Sequence, residues 1–158
     1  MPERSTAHAT FTIERRLEHP PARVYRAFAD PQAKAAWFIA PSEWTTGAYR
    51  FDFRIGGQEQ LESVPPEGPA ITFAATYLDI VPDVRIIYSY EMRIGDERIS
   101  VSLASIELLP TPSGTLLTVT EHGIYLDGLD EVAQRERGTH ELLDALAASL
   151  EAPEGAAS

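Results

Sequence analysis

Cysteine is absent from this chain of 158 residues. Disulfides and thiolate metal sites are therefore excluded. Long hydrophobic runs are missing too: no apolar stretch approaches the roughly 18 residues that a membrane span requires. The opening residues, MPERSTAHAT, are polar and lack the apolar middle of a secretory signal. A cytoplasmic protein is the expectation. Positive charge is scarce, with 13 Lys and Arg against 24 Asp and Glu, a net charge of −11. That field repels a phosphate backbone and an anionic membrane surface, so neither nucleic acid nor membrane is expected as a partner. The acidity reads as a device for solubility. No internal repeat and no long linker divides the chain. Residues 1–9 and 151–158 read as loose ends of a single domain spanning 10–150.

What is present is ordinary globular material, 44% hydrophobic and 23% charged. TFTIERRL alternates, with Phe11, Ile13 and Leu17 on one face, which is strand period. In EHPPARVYRAFADPQAKAAWF, Pro20 and Pro21 can open a helix whose face carries Val24, Ala27 and Phe28. Asp30 followed by Pro31 is an N-cap and a first helical position, so a second short helix follows.

From residue 47 the period returns to two. Tyr49, Phe51, Phe53 and Ile55 share a face. Gly56-Gly57 reads as a two-residue hairpin turn, which sets Arg54 opposite Glu59 as a cross-strand charge pair. Pro82-Asp83 turns the next strand. Gly95-Asp96 turns the one after, in a register that pairs Met92 with Ile99, Tyr90 with Val101, and Tyr88 with Leu103. PTPSG leads into a last strand, TLLTVTE. Asp127-Gly128 is a turn, and Asp130 can cap a long helix carrying Val132, Leu143, Leu146 and Leu150 on one stripe. The order is strand, two helices, six strands in hairpin succession, one long helix: an α+β domain whose apolar sheet face needs that last helix as a cover.

HPPARVYRAFADPQAKAAWF, FDFRIGGQE, YLDIVPDVRIIYSYEM, ISVSLASIEL and LTVTEHGIYLDGLDEVAQRERGTHELLDAL stand in the order of a known family. The chain resembles the START and birch-pollen-allergen (SRPBCC) superfamily, in the branch named after the activator of the heat-shock-protein-90 ATPase. The resemblance covers residues 10 to 150. It implies a helix-grip fold, a curved antiparallel sheet around a long C-terminal helix, with a cavity for an apolar or amphipathic ligand. Relatives of that kind include lipid carriers, aromatase/cyclases and co-chaperone domains, so no catalytic residue transfers.

Strand parity places Glu121 with Leu117 and Val119 on the inward face of the last strand, near Tyr125 and the start of the final helix. A carboxylate there could act as a general acid, hold the polar end of a ligand, or pair with an arginine. His122 then faces outward. Trp37, Phe38, Phe51, Phe53, Tyr77, Tyr88 and Tyr90 are candidate cavity walls, with tyrosine hydroxyls as anchors, or else a filled core. Tyr125 is expected at the pocket mouth. Glu136 and His140 are four apart on the helix, a spacing that suits a solvated ion pair as well as a metal edge. No metal and no cofactor is expected. Gly138, inside the helix, costs about 1 kcal/mol against alanine, which suggests close packing against sheet or ligand. The leading expectation is binding of a small apolar or amphipathic molecule between sheet and helix. An enzyme of the cyclase/aromatase or hydrolase kind using Glu121 and tyrosines is the rival. A co-chaperone-like interaction module is the third, with a second copy or another protein as partner.

Overall fold

The computed structural model describes residues 4–39 and 44–151. Strand β1 (Thr6–Leu17) is followed by helices α1 (Pro21–Ala29) and α2 (Pro31–Phe38). Six strands succeed them: β2 (Thr45–Phe51), β3 (Gln58–Val64), β4 (Ile71–Val81), β5 (Arg85–Ile94), β6 (Glu97–Thr111) and β7 (Gly114–Leu126). Helix α3 (Val132–Leu150) is the last described element. The strands form one antiparallel sheet in the order β1-β7-β6-β5-β4-β3-β2. This is the α+β helix-grip arrangement. β1 begins at Thr6, so residues 6–9 are strand rather than loose end. No helix among the described residues is long and apolar enough to cross a membrane.

Both short helices start as their prolines dictate. Pro21 and Pro31 occupy first-turn positions, and the Asp30 carboxylate accepts from the Ala33 N–H at 2.9 Å. The core gathers where both helices and the last two turns of α3 meet β1, β6 and β7. Leu143, Leu146 and Leu150 are buried there with Phe28, Trp37, Ile106 and Leu117. Burying each such leucine side chain stabilises the fold by roughly 1.5–3 kcal/mol. The first half of α3 meets the sheet through Arg135, which reaches Tyr90 of β5 and Ser100 of β6, and the interior beside it is open.

Two hairpins differ from the sequence expectation, the first by three positions and the second by one. β2 stops at Phe51, and residues 52–57 form a longer connection rather than a two-residue turn. Gly56 adopts φ +84°, and a Cβ at Gly57 would lie 2.1 Å from the Asp52 carbonyl oxygen, so both glycines serve this loop. The loop is tied to β4 by the Gly56 N–H donating to the Tyr77 carbonyl and the Tyr77 N–H to the Gly57 carbonyl. Arg54 consequently pairs with Asp52, Ile55 is exposed, and Glu59 lies opposite Phe51. Between β5 and β6 a bulge at Met92/Arg93 shifts the register, so Met92 faces Ser100, Tyr90 faces Ser102 and Tyr88 faces Ala104. One residue of slip exchanges the faces of a strand. Ser100, Ser102 and Ala104 are buried, whereas Leu103 is 44% exposed.

Candidate functional site

The β5 tyrosines stand opposite serine and alanine on β6, and the first half of α3 arches above them. A cavity of about 660 Å³ lies between sheet and helix. Its floor carries Phe73, Tyr77, Tyr88, Tyr90 and Met92; its side carries Trp37, Phe38 and Phe53; Arg135, Gly138 and Leu142 of α3 form its roof. A Cβ at Gly138 would meet nothing within 4 Å. This glycine therefore fills no packing role. It widens the cavity.

Glu121 is on the wall, inward as parity indicates, and 4% exposed. The Tyr90 hydroxyl donates to its Oε1 at 2.5 Å. Its Oε2 has no hydrogen-bond partner among the described residues. Burial raises its pKa, opposed by the Tyr90 hydrogen bond and the Arg135 charge. Arg135, from the first turn of α3, donates to the Tyr90 hydroxyl at 3.2 Å, to Ser100 Oγ at 3.0 Å and to the Asp130 carboxylate. Its guanidinium lies over the rings of Tyr90 and Tyr125, 5.7 Å from each centroid. Asp130 also accepts from the Glu131 N–H, while the N-cap position itself belongs to Glu131. The acidic lead-in to α3 thus holds the helix start and positions an arginine beside Glu121.

A second polar group was not foreseen. Glu59, which the longer loop turns inward, is 1% exposed. Lys34 Nζ donates to its Oε1 at 3.0 Å, Tyr77 to the same oxygen at 2.5 Å, and Tyr49 to Oε2 at 3.2 Å. Burial lowers the Lys34 pKa, with Glu59 acting against that shift. Burial and then the Glu59 charge raise both tyrosines, so their hydroxyls keep their protons and donate. The only signal of this group in the sequence is a carboxylate and a lysine whose strand and helix positions face the core once the register is right. Between the two groups stands Tyr88, its ring 5.9 Å from Tyr77 and 5.8 Å from Tyr90, and its hydroxyl unpartnered among the described residues.

Two of the sequence candidates lie off the cavity wall. Phe51 packs behind it against Phe53 and Tyr77, and Tyr125 is 2% exposed beneath Arg135 rather than at a mouth. The hydroxyls of Tyr125 and Ser102 are buried without protein partners among the described residues. His122 faces outward, its Nδ1 3.0 Å from the Thr10 hydroxyl. His140 meets Arg15 rather than a metal edge with Glu136, and no group of three or more metal-ligating side chains exists among the described residues.

The comparisons with known proteins agree with this architecture. A protein of Rhizobium leguminosarum is 44% identical over 94% of this chain and 98% of its own, with a TM-score of 0.90. The Mll3558 protein of Rhizobium loti is 44% identical, covers 92% of this chain and 99% of its own, and has a TM-score of 0.86. An AHSA1-like protein of Aeromonas hydrophila, 24% identical over 90% of this chain and 92% of its own, shares the fold with a TM-score of 0.68. No curated protein matches the chain. The family model for activator of Hsp90 ATPase homolog 1-like proteins matches residues 18–151, and the chain belongs to that family.

Proposed function

We propose that this protein binds a small apolar or amphipathic molecule in the cavity under α3, with the molecule's polar end at Glu121. The observation that carries the reading is the open space itself, walled by aromatic side chains and roofed at Gly138. A filled core closes to near-crystalline density, and an apolar void has lost those contacts unless a ligand restores them. The free Oε2 of Glu121 and the hydroxyl of Tyr88 supply the few convergent polar groups that orient a ligand in such sites. The residues offered for ligand contact are Trp37, Phe38, Phe53, Tyr77, Tyr88, Tyr90 and Glu121, with Phe51 supporting the wall from behind. The reading takes the cytoplasm as the compartment.

The test is binding of a neutral fluorescent amphiphile, N-phenyl-1-naphthylamine, together with native mass spectrometry of freshly purified protein for a retained small molecule. Gly138→Leu, which extends a side chain into the cavity, should weaken the probe at least tenfold. Equal binding by the variant and the parent would refute the site. A second reading draws on the burial that raises the Glu121 pKa: a carboxyl so shifted on a cavity wall suits a general acid, as a cyclase/aromatase- or hydrolase-like enzyme would use it. Conversion of a bound ligand by the parent protein, lost in Glu121→Gln, would favour the enzyme over the carrier.

A further inference from the structure

Lys34 is the only lysine in the chain; every other member of its 13 Lys and Arg residues is arginine. Lysine is usually a surface residue, held in water by a strongly hydrated ammonium. Here it is 6% exposed and lies on the cavity wall. Its Nζ stands 4.3 Å from the Phe38 ring centroid, 5.4 Å from Phe51 and 5.5 Å from Trp37. One carboxylate, Glu59, accepts from it at 3.0 Å. If an ion pair were all that this position required, arginine would make it with more donors and a permanent charge. Lysine differs in one chemical respect: in apolar surroundings its amine can give up a proton and attack a carbon.

We propose that Lys34 forms a reversible imine with an aldehyde held in the cavity. The proposal rests on the cavity being a ligand site. Lys34 passes a proton to Glu59, and the neutral amine adds to the carbonyl carbon. The C–N bond forms, the C=O π bond breaks, and the oxygen takes the proton back from Glu59. The nitrogen then gives a proton to Glu59, which delivers it to the departing hydroxyl. The C–O bond breaks, water leaves, and the nitrogen lone pair closes the C=N bond. The net change is ammonium plus aldehyde to iminium plus water, with Glu59 a carboxylate at both ends.

The surroundings suit this electrophile better than an acyl donor. The iminium keeps the positive charge and one N–H for Glu59, whereas an amide would leave that carboxylate buried without its cation. Tyr77 and Tyr49 hold Glu59 through bonds that do not involve Lys34, so the base stays in place while the nitrogen is remodelled. The ring walls limit the access of water to the C=N bond. The lowered Lys34 pKa agrees with this geometry.

Benzaldehyde with sodium cyanoborohydride near neutral pH traps an imine as a benzylamine, read by intact mass and peptide mapping. With one lysine, the chain's α-amino group is the only competing amine and serves as the internal reference. Benzylation of Lys34 should proceed at least tenfold faster in the folded protein than in urea, be absent in Lys34→Arg, and slow markedly in Gly138→Leu. A native rate no greater than the unfolded rate, or equal trapping with the cavity filled by Gly138→Leu, overturns the proposal. The two readings fail separately. Loss of naphthylamine binding to the parent protein sinks the ligand site, whereas binding without trapping at Lys34 sinks the imine alone.

Discussion

Two buried carboxylates meet different surroundings in this interior, and their replacement should tell them apart. Glu59 accepts from a cation and two hydroxyls, so Lys34→Met would leave it without its charge partner. Breaking a buried pair of this kind costs about 3–5 kcal/mol, and urea melts should show a loss of that order. Lys34→Met with Glu59→Leu should be less destabilised than the sum of the single changes, and additivity would argue against coupling. Glu121 has a raised folded pKa, above its ordinary value of 4.5. The folded state therefore holds a proton that the unfolded state has released, and stability falls as pH rises through the interval between the two values. Glu121→Gln removes that dependence. The melting temperature of the variant relative to the parent should climb from about pH 4.5 to the raised value and then level off. A difference that is flat with pH would mean that burial does not govern this carboxyl.

Helix α3 has two halves with different tasks, and two substitutions separate them. Leu146 is 1% exposed in the core, so Leu146→Ala should cost about 2–5 kcal/mol. Gly138 faces open space, so Gly138→Ala should stabilise the protein by about 1 kcal/mol in thermal melts, with no clash to offset it. The leucine stripe and the inward Glu121 were legible because one face of a long helix and one parity of a long strand repeat over many residues. The proline-led starts of α1 and α2 were legible because ring geometry acts locally. The connection before β3 and the bulge between β5 and β6 were not. Both are odd-numbered register shifts, three residues and one, that local periodicity does not encode: the loop of residues 52–57 bonds to the Tyr77 backbone, and β6 carries one extra residue, Ile99, opposite Met92 and Arg93. The longer connection concealed the Lys34–Glu59 group, since the expected two-residue turn puts Glu59 on the outer face. Opposite Tyr88 and Tyr90 the bulge supplies alanine and serine where Leu103 and Val101 were anticipated. The sequence pattern describes one apolar sheet face, and the local shifts decide which residues of β3 and β6 stand on it.

For the whole molecule, the charge of −11 sets a solution property: self-repulsion opposes the compact state and is screened by salt. Moderate sodium chloride should raise the melting temperature, and a fall would point to surface ion pairs as the larger influence. A ligand that binds only the folded form adds about 2.7 kcal/mol of apparent stability at a hundredfold excess over its Kd. The division of α3 also bears on time. Its C-terminal turns are packed among α1, α2 and the sheet, while its first turns bridge a hollow through Arg135 and Asp130. Such a helix should not melt as one rod. Amide deuterium uptake should be fast through the turns near Arg135 and slow near Leu146, with the fast half slowed by bound ligand. Stopped-flow entry of the naphthylamine should then saturate at the opening rate of those turns, making the frayed end of one helix the clock for traffic into the protein.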